Sequence, residues 1–209
     1  NSPSKPTGQV QSDSEILATI NWARNNGSVI ASDECYLSFS KEAKSILSLT
    51  GGNNEGVLAV HSLSKRSNLA GYRAAFVIGD SKLIAQIREV RKHAGMMVPL
   101  PVQKAMVAAL SDSEHVAQQR ARYNSRKDLL IPALEAAGFS IDFSDAGLYL
   151  WATRNEDCWQ SVAWLASLGI LATPGIFYGD ATHIRIAMTA TDEQISEAAS
   201  RITSKVGAQ

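Results

Sequence analysis

The chain has 209 residues, 45% of them hydrophobic, enough for one sizeable core or two small ones. Twenty basic and twenty acidic side chains cancel, so neither nucleic acid nor an anionic membrane is suggested as a partner. No apolar run approaches the length of a membrane span, no stretch reads as a signal peptide, and Cys35 and Cys158 make no disulfide framework, which points to a reducing cytoplasm. The four histidines, His61, His93, His115 and His183, show no metal-ligand spacing.

Asn1–Gly8 (NSPSKPTG) is turn-rich, with two prolines and a glycine that oppose helix and strand alike. Ser12-x-x-Glu15 reads as a capping box opening an amphipathic helix through Ile16, Leu17, Ile20 and Ala23, stopped by Asn26-Gly27. Ser28–Ser32 is a short β-rich run ending in Asp33-Glu34-Cys35-Tyr36. A polar surface connection, 38–56, leads to two apolar runs, Val57–Val60 and Ala74–Ile78, expected as buried strands of the parallel-sheet kind because neither alternates. Asp80 is placed to cap a helix over Lys82–His93 that ends at Gly95. After a double-proline segment a helix is expected over Val102–Leu110. Ser111-x-x-Glu114 then reads as a second capping box, opening a long helix from His115 to about Ala137 that Pro132 should kink or restart.

Past Gly138 the pattern changes. FSIDF and LYLWAT read as strands, Cys158–Leu168 as a helix, ILATP and HIRIAMTA as further strands, and Thr191-x-x-Gln194 as the cap of a terminal helix. Short strands with separate helices indicate an α+β unit, distinct from the α/β first part. The boundary is placed inside the long helix, giving residues 1–120 and 121–209.

Chemistry concentrates at predicted strand ends, where open α/β sheets put their ligand sites. Asp33 and Tyr36 follow one strand, Ser62, Ser64 and Lys65 follow the next, and Arg73 precedes a third. A lysine amine can form a Schiff base with an aldehyde, and serines with an arginine can hold a phosphate. An aspartate that keeps a pyridine nitrogen protonated makes the ring an electron sink. Together these are the requirements of pyridoxal 5'-phosphate. Cys35, between two of these residues, reads as a small buried side chain. Tyr149 and Trp151 alternate with Leu148 and Leu150 and read as ordinary core. Tyr178 faces either a substrate or solvent, and Arg66 fronts solvent rather than a second carboxylate.

In these motifs the sequence resembles the fold-type I pyridoxal-phosphate aminotransferases of class I/II. Asp33 with Tyr36 three residues on, Ser62-Leu63-Ser64-Lys65 followed by Arg73, and a C-terminal strand arginine at Arg185 match that family in order and spacing. The strings SDECYL, HSLSK, NLAGYRAAFVIGD, AGLYLWATR and PGIFYG look most like N-succinyl-diaminopimelate aminotransferases. The resemblance implies an α/β fold: part of a large-domain mixed, mainly parallel sheet over 1–120, and a smaller α+β domain over 121–209. It implies pyridoxal phosphate held by Lys65, Asp33, Tyr36, Ser62, Ser64 and Arg73, with Lys65, Asp33 and Tyr36 catalytic. Arg185 would grip the substrate α-carboxylate. It further implies a homodimer and amino-group transfer between glutamate and N-succinyl-2-amino-6-oxopimelate. The C–S β-lyases share all of these residues, and an aminotransferase-like domain of a transcription regulator is a third reading.

One position departs from the family, whose turn ends N-P-T-G. Here Lys5 stands where an asparagine would meet the cofactor's phenolate oxygen. The family also has an N-terminal portion before this turn, so Asn1–Gln209 is expected to be the C-terminal part of a longer polypeptide.

Overall fold

The computed structural model describes residues 1–207, which divide into two compact units. One comprises Asn1–Pro3 and Val10–Ala117, the other Ser4–Gln9 and the described residues from Gln118 onward.

The first unit opens on α1 (Asp13–Asn25), whose capping box is complete: the Glu15 N–H donates to Ser12 Oγ at 3.3 Å, and the Ser12 N–H to Glu15 Oε2 at 2.8 Å. Its buried residues Ile16 and Ile20 join Ile46, Val57 and Ala59 in one apolar cluster, with Ile30, Leu47 and Leu49 packed against it. That cluster seats a three-stranded sheet in the order β1 (Ile30–Asp33), β2 (Val57–Ser62), β3 (Ala75–Gly79).

The sheet is mixed: β1 and β2 are parallel, but β2 and β3 are antiparallel, where the two apolar runs suggested a parallel pairing. Between them run only the one-turn helix α2 (Leu63–Arg66) and a 3-10 turn, Ala70–Tyr72, with Asn68 and Arg73 both at positive φ. A connection this tight returns the chain alongside itself, whereas a parallel partner needs a longer crossover. Burial differs as well. Val57, Leu58 and Ala59 of central β2 are buried, while Ala75 and Ile78 of β3 are exposed, because β3 is paired on one side only.

Gly79 closes β3 where no side chain fits, since a Cβ there would stand 2.1 Å from the Val57 carbonyl oxygen. Asp80 then caps α3 (Ser81–His93), accepting from the N–H groups of Lys82 and Leu83, while its other oxygen accepts from Gly56 N–H at 2.8 Å. Helix α4 (Leu100–Ser111) begins earlier than expected, because Pro101 falls in a first turn where its missing N–H costs nothing. The capping box expected at Ser111 does not form. Ser111 is the last residue of α4, its hydroxyl bonds back to the Val107 carbonyl, and Asp112 accepts from Glu114 N–H at 2.8 Å instead. Helix α5 (Glu114–Ala136) runs as one helix through Pro132, with no restart there.

The second unit holds an antiparallel sheet in the order β4 (Ser140–Asp142), β5 (Tyr149–Thr153), β7 (His183–Ala187), β6 (Thr173–Pro174). Helices α6 (Cys158–Ser167) and α7 (Asp192–Gly207) complete it, α7 with the expected Thr191–Gln194 cap. The strand expected over ILATP shrinks to two residues at the sheet edge, and Leu171 is exposed. Register sorts the two central strands by face. Leu150 and Ala152 oppose Ile186 and Ile184, and all four are buried; Tyr149, Trp151 and Thr153 lie on the other face with His183, Arg185 and Ala187.

Candidate active site

In the first unit, strand direction gathers one end of the sheet. Asp33 closes β1 opposite Val60, β2 continues through Ser62 into α2, and antiparallel β3 begins at Ala75, opposite Ser62. Asp33, the α2 lysine and Arg73 therefore share a single sheet edge.

Asp33 Oδ1 accepts the Cys35 N–H at 3.1 Å. Burial, then the Asp33 hydrogen bond and charge, push the Cys35 thiol up to about 12, so this half-buried cysteine stays a neutral thiol. Tyr36 is half-buried just beyond the strand. Ser62 is committed to α2: its Oγ accepts the Ser64 N–H at 3.1 Å and reaches the Ala74 carbonyl at 3.4 Å. Ser64 and Lys65 are half-buried on α2, and Lys65 Nζ makes no hydrogen bond or ion pair among the described residues. Arg73 is exposed in the left-handed region (φ 51°), bonds the Ala70 carbonyl through Nη1, and has no carboxylate partner among the described residues.

Two neighbours of Lys65 tie α2 down. Arg66, expected to front solvent, is half-buried and donates to the Ala109 carbonyl of α4 at 2.9 Å and to Ser67 Oγ at 3.2 Å. Ser67 Oγ also meets His115 Nε2 at 3.0 Å, and His115 Nδ1 meets Asp112 Oδ2 at 2.7 Å. Beneath the edge, Glu34 is buried with Oε1 accepting the Ile46 N–H at 2.7 Å. Its Oε2 stands 3.3 Å from His61 Nε2, within ion-pair range but without a hydrogen bond. The His61 ring stacks on Phe76 at 5.0 Å. These contacts carry no sequence signature, because each joins segments that only the fold brings together.

The second unit holds Lys5 and Arg185. Lys5 is exposed on Ser4–Gln9, a turn anchored by the Ser144 and Ala146 N–H groups on the carbonyls of Thr7 and Gly8. Gly8 is required there, since a Cβ would stand 2.4 Å from the Ala146 oxygen.

Arg185 lies on β7 with its guanidinium carbon 4.4 Å from the Tyr149 ring centre and 5.2 Å from that of Tyr178. Its Nη2 donates to Thr173 Oγ1 at 3.2 Å, while its buried Nε has no partner and no carboxylate pairs with it among the described residues. A half-buried guanidinium with a buried, unpartnered Nε and no carboxylate partner among the described residues is suited to a planar carboxylate. Tyr149 and Trp151 thus share the arginine's face of the sheet, Trp151 buried there as core and Tyr149 half-buried, while Leu150 points to the opposite face. Their alternation is visible in the sequence, but which face is which depends on cross-strand register.

A mixed sheet with a lysine at its edge and a separate antiparallel α+β unit is the architecture of fold-type I transferases. A model of the family described as Aminotransferase class I and II matches residues 1–202, and the chain belongs to that family. It is 56% identical over 209 residues to a protein named "Probable aminotransferase" from Mycobacterium tuberculosis, covering 97% of this chain and 50% of that one. It is 54% identical over 209 residues to the 4-dedimethylamino-4-oxo-anhydrotetracycline transaminase of Streptomyces rimosus, covering 97% of this chain and 58% of the other. Among solved structures it superposes on a "probable N-succinyldiaminopimelate aminotransferase" of Thermus thermophilus with a TM-score of 0.84 and 29% identity, covering 97% of this chain and 56% of that one. The chain thus spans about half the length of the curated relatives it matches.

The family and its fold depend on pyridoxal phosphate. The residues present fit that group: an unpaired, half-buried lysine amine, an aspartate and an uncompensated arginine share one sheet edge.

Proposed function

We propose that this protein is a pyridoxal-phosphate-dependent transaminase exchanging an amino group between glutamate and a keto or semialdehyde acceptor, with N-succinyl-2-amino-6-oxopimelate as that acceptor. The observation that carries the reading is the unpaired Lys65 amine on the sheet edge it shares with Asp33 and Arg73. Membership of the aminotransferase family supports the reaction class, and the likeness to the Thermus protein supports the acceptor.

When bound, the cofactor supplies an electron sink for a carbanion at the substrate Cα. Residues 1–120 hold it. Lys65 Nζ would hold the cofactor's aldehyde group and would serve as the base for the proton on the substrate Cα. Asp33 would keep a proton on the ring nitrogen, Tyr36 would donate its hydroxyl hydrogen to the ring's phenolate oxygen, and Arg73 with Ser64 would bind the phosphate. Ser62 acts through α2, whose first turn its hydroxyl caps. Residues 121–209 contribute Arg185, which binds the α-carboxylate with the donors its neighbours leave free. The working assembly is a homodimer.

The test is product analysis on the intact protein: keto-acid exchange with glutamate, compared across acceptors, against pyruvate and thiol release from cystathionine. Borohydride reduction in the presence of the cofactor should label Lys65, and Lys65→Ala should remove both label and activity. Label on another lysine, or lyase products without exchange, would sink the proposal.

A further inference from the structure

His183 sits two residues before Arg185 on β7, on the same face of the strand. Its ring is engaged on every side. Nε2 lies 2.9 Å from Asp142 Oδ2 on β4, and Nδ1 lies 2.8 Å from Asp180 Oδ2 in the turn before β7. The Thr182 hydroxyl also faces the ring, 3.2 Å from Nδ1. A carboxylate oxygen only accepts, so both contacts are satisfied only when both ring nitrogens donate, which is the imidazolium. A neutral ring would turn a lone pair toward one of the two carboxylates.

The ring face is used too. His183 stacks on Trp151 with ring centres 5.1 Å apart and planes 4° from parallel. The Trp151 ring meets Tyr178 edge-on at 6.0 Å, and the Tyr178 ring receives the Arg185 guanidinium. Tyr178 sits on a 3-10 turn, Gly175–Tyr178, pressed against the same residue: a Cβ on Gly175 would come within 2.3 Å of the His183 carbonyl oxygen. Asp180, two residues past this turn, spends its Oδ1 on the N–H groups of Thr182 and His183 and on the Thr182 hydroxyl. One ring therefore joins β4, the turn and the aromatic wall beside Arg185, all within the second unit.

We infer that His183, as a cation bridging Asp142 and Asp180, is a positioning residue for carboxylate binding: it holds Trp151 and the Tyr178 turn so that Tyr178 stays packed on the Arg185 guanidinium. The inference rests on the proposal that Arg185 takes the substrate carboxylate. Without the bridge, the Tyr178 turn loses its anchor to β4, and the guanidinium loses one of its two aromatic walls. Its orientation then varies, and a bidentate carboxylate pays that ordering cost on binding.

The test titrates glutarate, a carboxylate probe that cannot react, into the full chain by calorimetry. His183→Gln and His183→Phe should each weaken glutarate binding by on the order of fivefold to tenfold, the scale of one cation–π contact. His183→Arg keeps a planar cation with several donors and should bind within about twofold of the parent. In turnover, the weakening should appear in KM, with kcat little changed. Arg185→Leu serves as the reference and should abolish the binding. If His183→Phe binds like the parent while Arg185→Leu does not, the inference falls and the function of Arg185 stands. If Arg185→Leu binds like the parent, both fall. Should the ring variants not fold, as judged by near-ultraviolet dichroism, Asp142→Asn probes the same bridge from a half-exposed position. Weaker binding in that variant supports the inference, and unchanged affinity overturns it.

Discussion

Ser67 Oγ and His115 Nε2 stand 3.0 Å apart, joining the end of the lysine-bearing helix α2 to the first turn of α5. A four-residue helix has no stability of its own, so its position is set by what holds its ends. Ser62 holds the N-terminal end, and Ser67 with Arg66 holds the other. We expect Ser67→Ala to destabilise the fold by about 1 kcal/mol, one partly exposed hydrogen bond. It should also slow turnover more than it changes substrate KM, because Lys65 loses its fixed seat. Urea denaturation and steady-state kinetics check this. A variant with normal kcat would mean that Arg66 alone fixes the helix.

Asp33→Asn should leave the protein folded and able to take up cofactor, since Asp33 is exposed and its carboxylate accepts the Cys35 N–H, which an amide oxygen also accepts. Turnover should fall by several orders of magnitude, because a neutral amide does not hold the ring nitrogen's proton; each unit of lost ring basicity is worth about 1.4 kcal/mol. The same substitution removes the charge that helps raise the Cys35 thiol, so alkylation of Cys35 should become faster. Near-native single-turnover rates would show that Asp33 serves structure alone.

Local signals were legible in the sequence because they involve residues within one turn. The Ser12–Glu15 box, the Asp80 cap and the Thr191–Gln194 cap all form as the spacing implies. Ser111 misled because Asp112, one residue nearer, offers a carboxylate to the same N–H. The strand ends that carry Asp33 and Ser62 were likewise readable, since apolar runs stop at polar residues there. Pairing was not readable. The antiparallel turn of β3 and the register that sets Trp151 opposite Arg185 join residues 12 or more positions apart, and no local pattern encodes them. For the same reason the alternation around Tyr149 does not reveal which side chains share its face of the sheet.

Asp180 supplies a pH prediction. Burial works to raise its carboxyl, but the Thr182 N–H, the His183 ring and the Thr182 hydroxyl outweigh it and hold the group down at about 2, against an ordinary 3.8. A carboxyl with a depressed folded-state value stabilises the fold fully above its unfolded value and loses that contribution as pH falls through the folded one. Stability of the parent should therefore decline between about pH 5 and pH 2, and Asp180→Asn should show a shallower decline over that window. Thermal melts across the acid range decide this, and parallel curves for the two proteins would contradict it.

Arg185→Leu is expected to weaken binding of every amino-acid substrate, whatever its side chain. The guanidinium packs on Tyr149 and Tyr178 and, among the described residues, bonds only the Thr173 hydroxyl and leaves a buried Nε without a partner. A group so placed carries an unmet cost that a ligand carboxylate relieves, and charge-assisted hydrogen bonds of this kind contribute about 1.5–3 kcal/mol. The loss in kcat/KM should then be at least tenfold to a hundredfold and nearly equal for glutamate and for neutral amino acids. Because leucine removes the cation but keeps contact with both tyrosine rings, the fold should survive; a melting temperature no lower than the parent's would separate lost binding from lost structure. A loss confined to dicarboxylic substrates would instead assign Arg185 to the distal carboxylate and leave the α-carboxylate to another group.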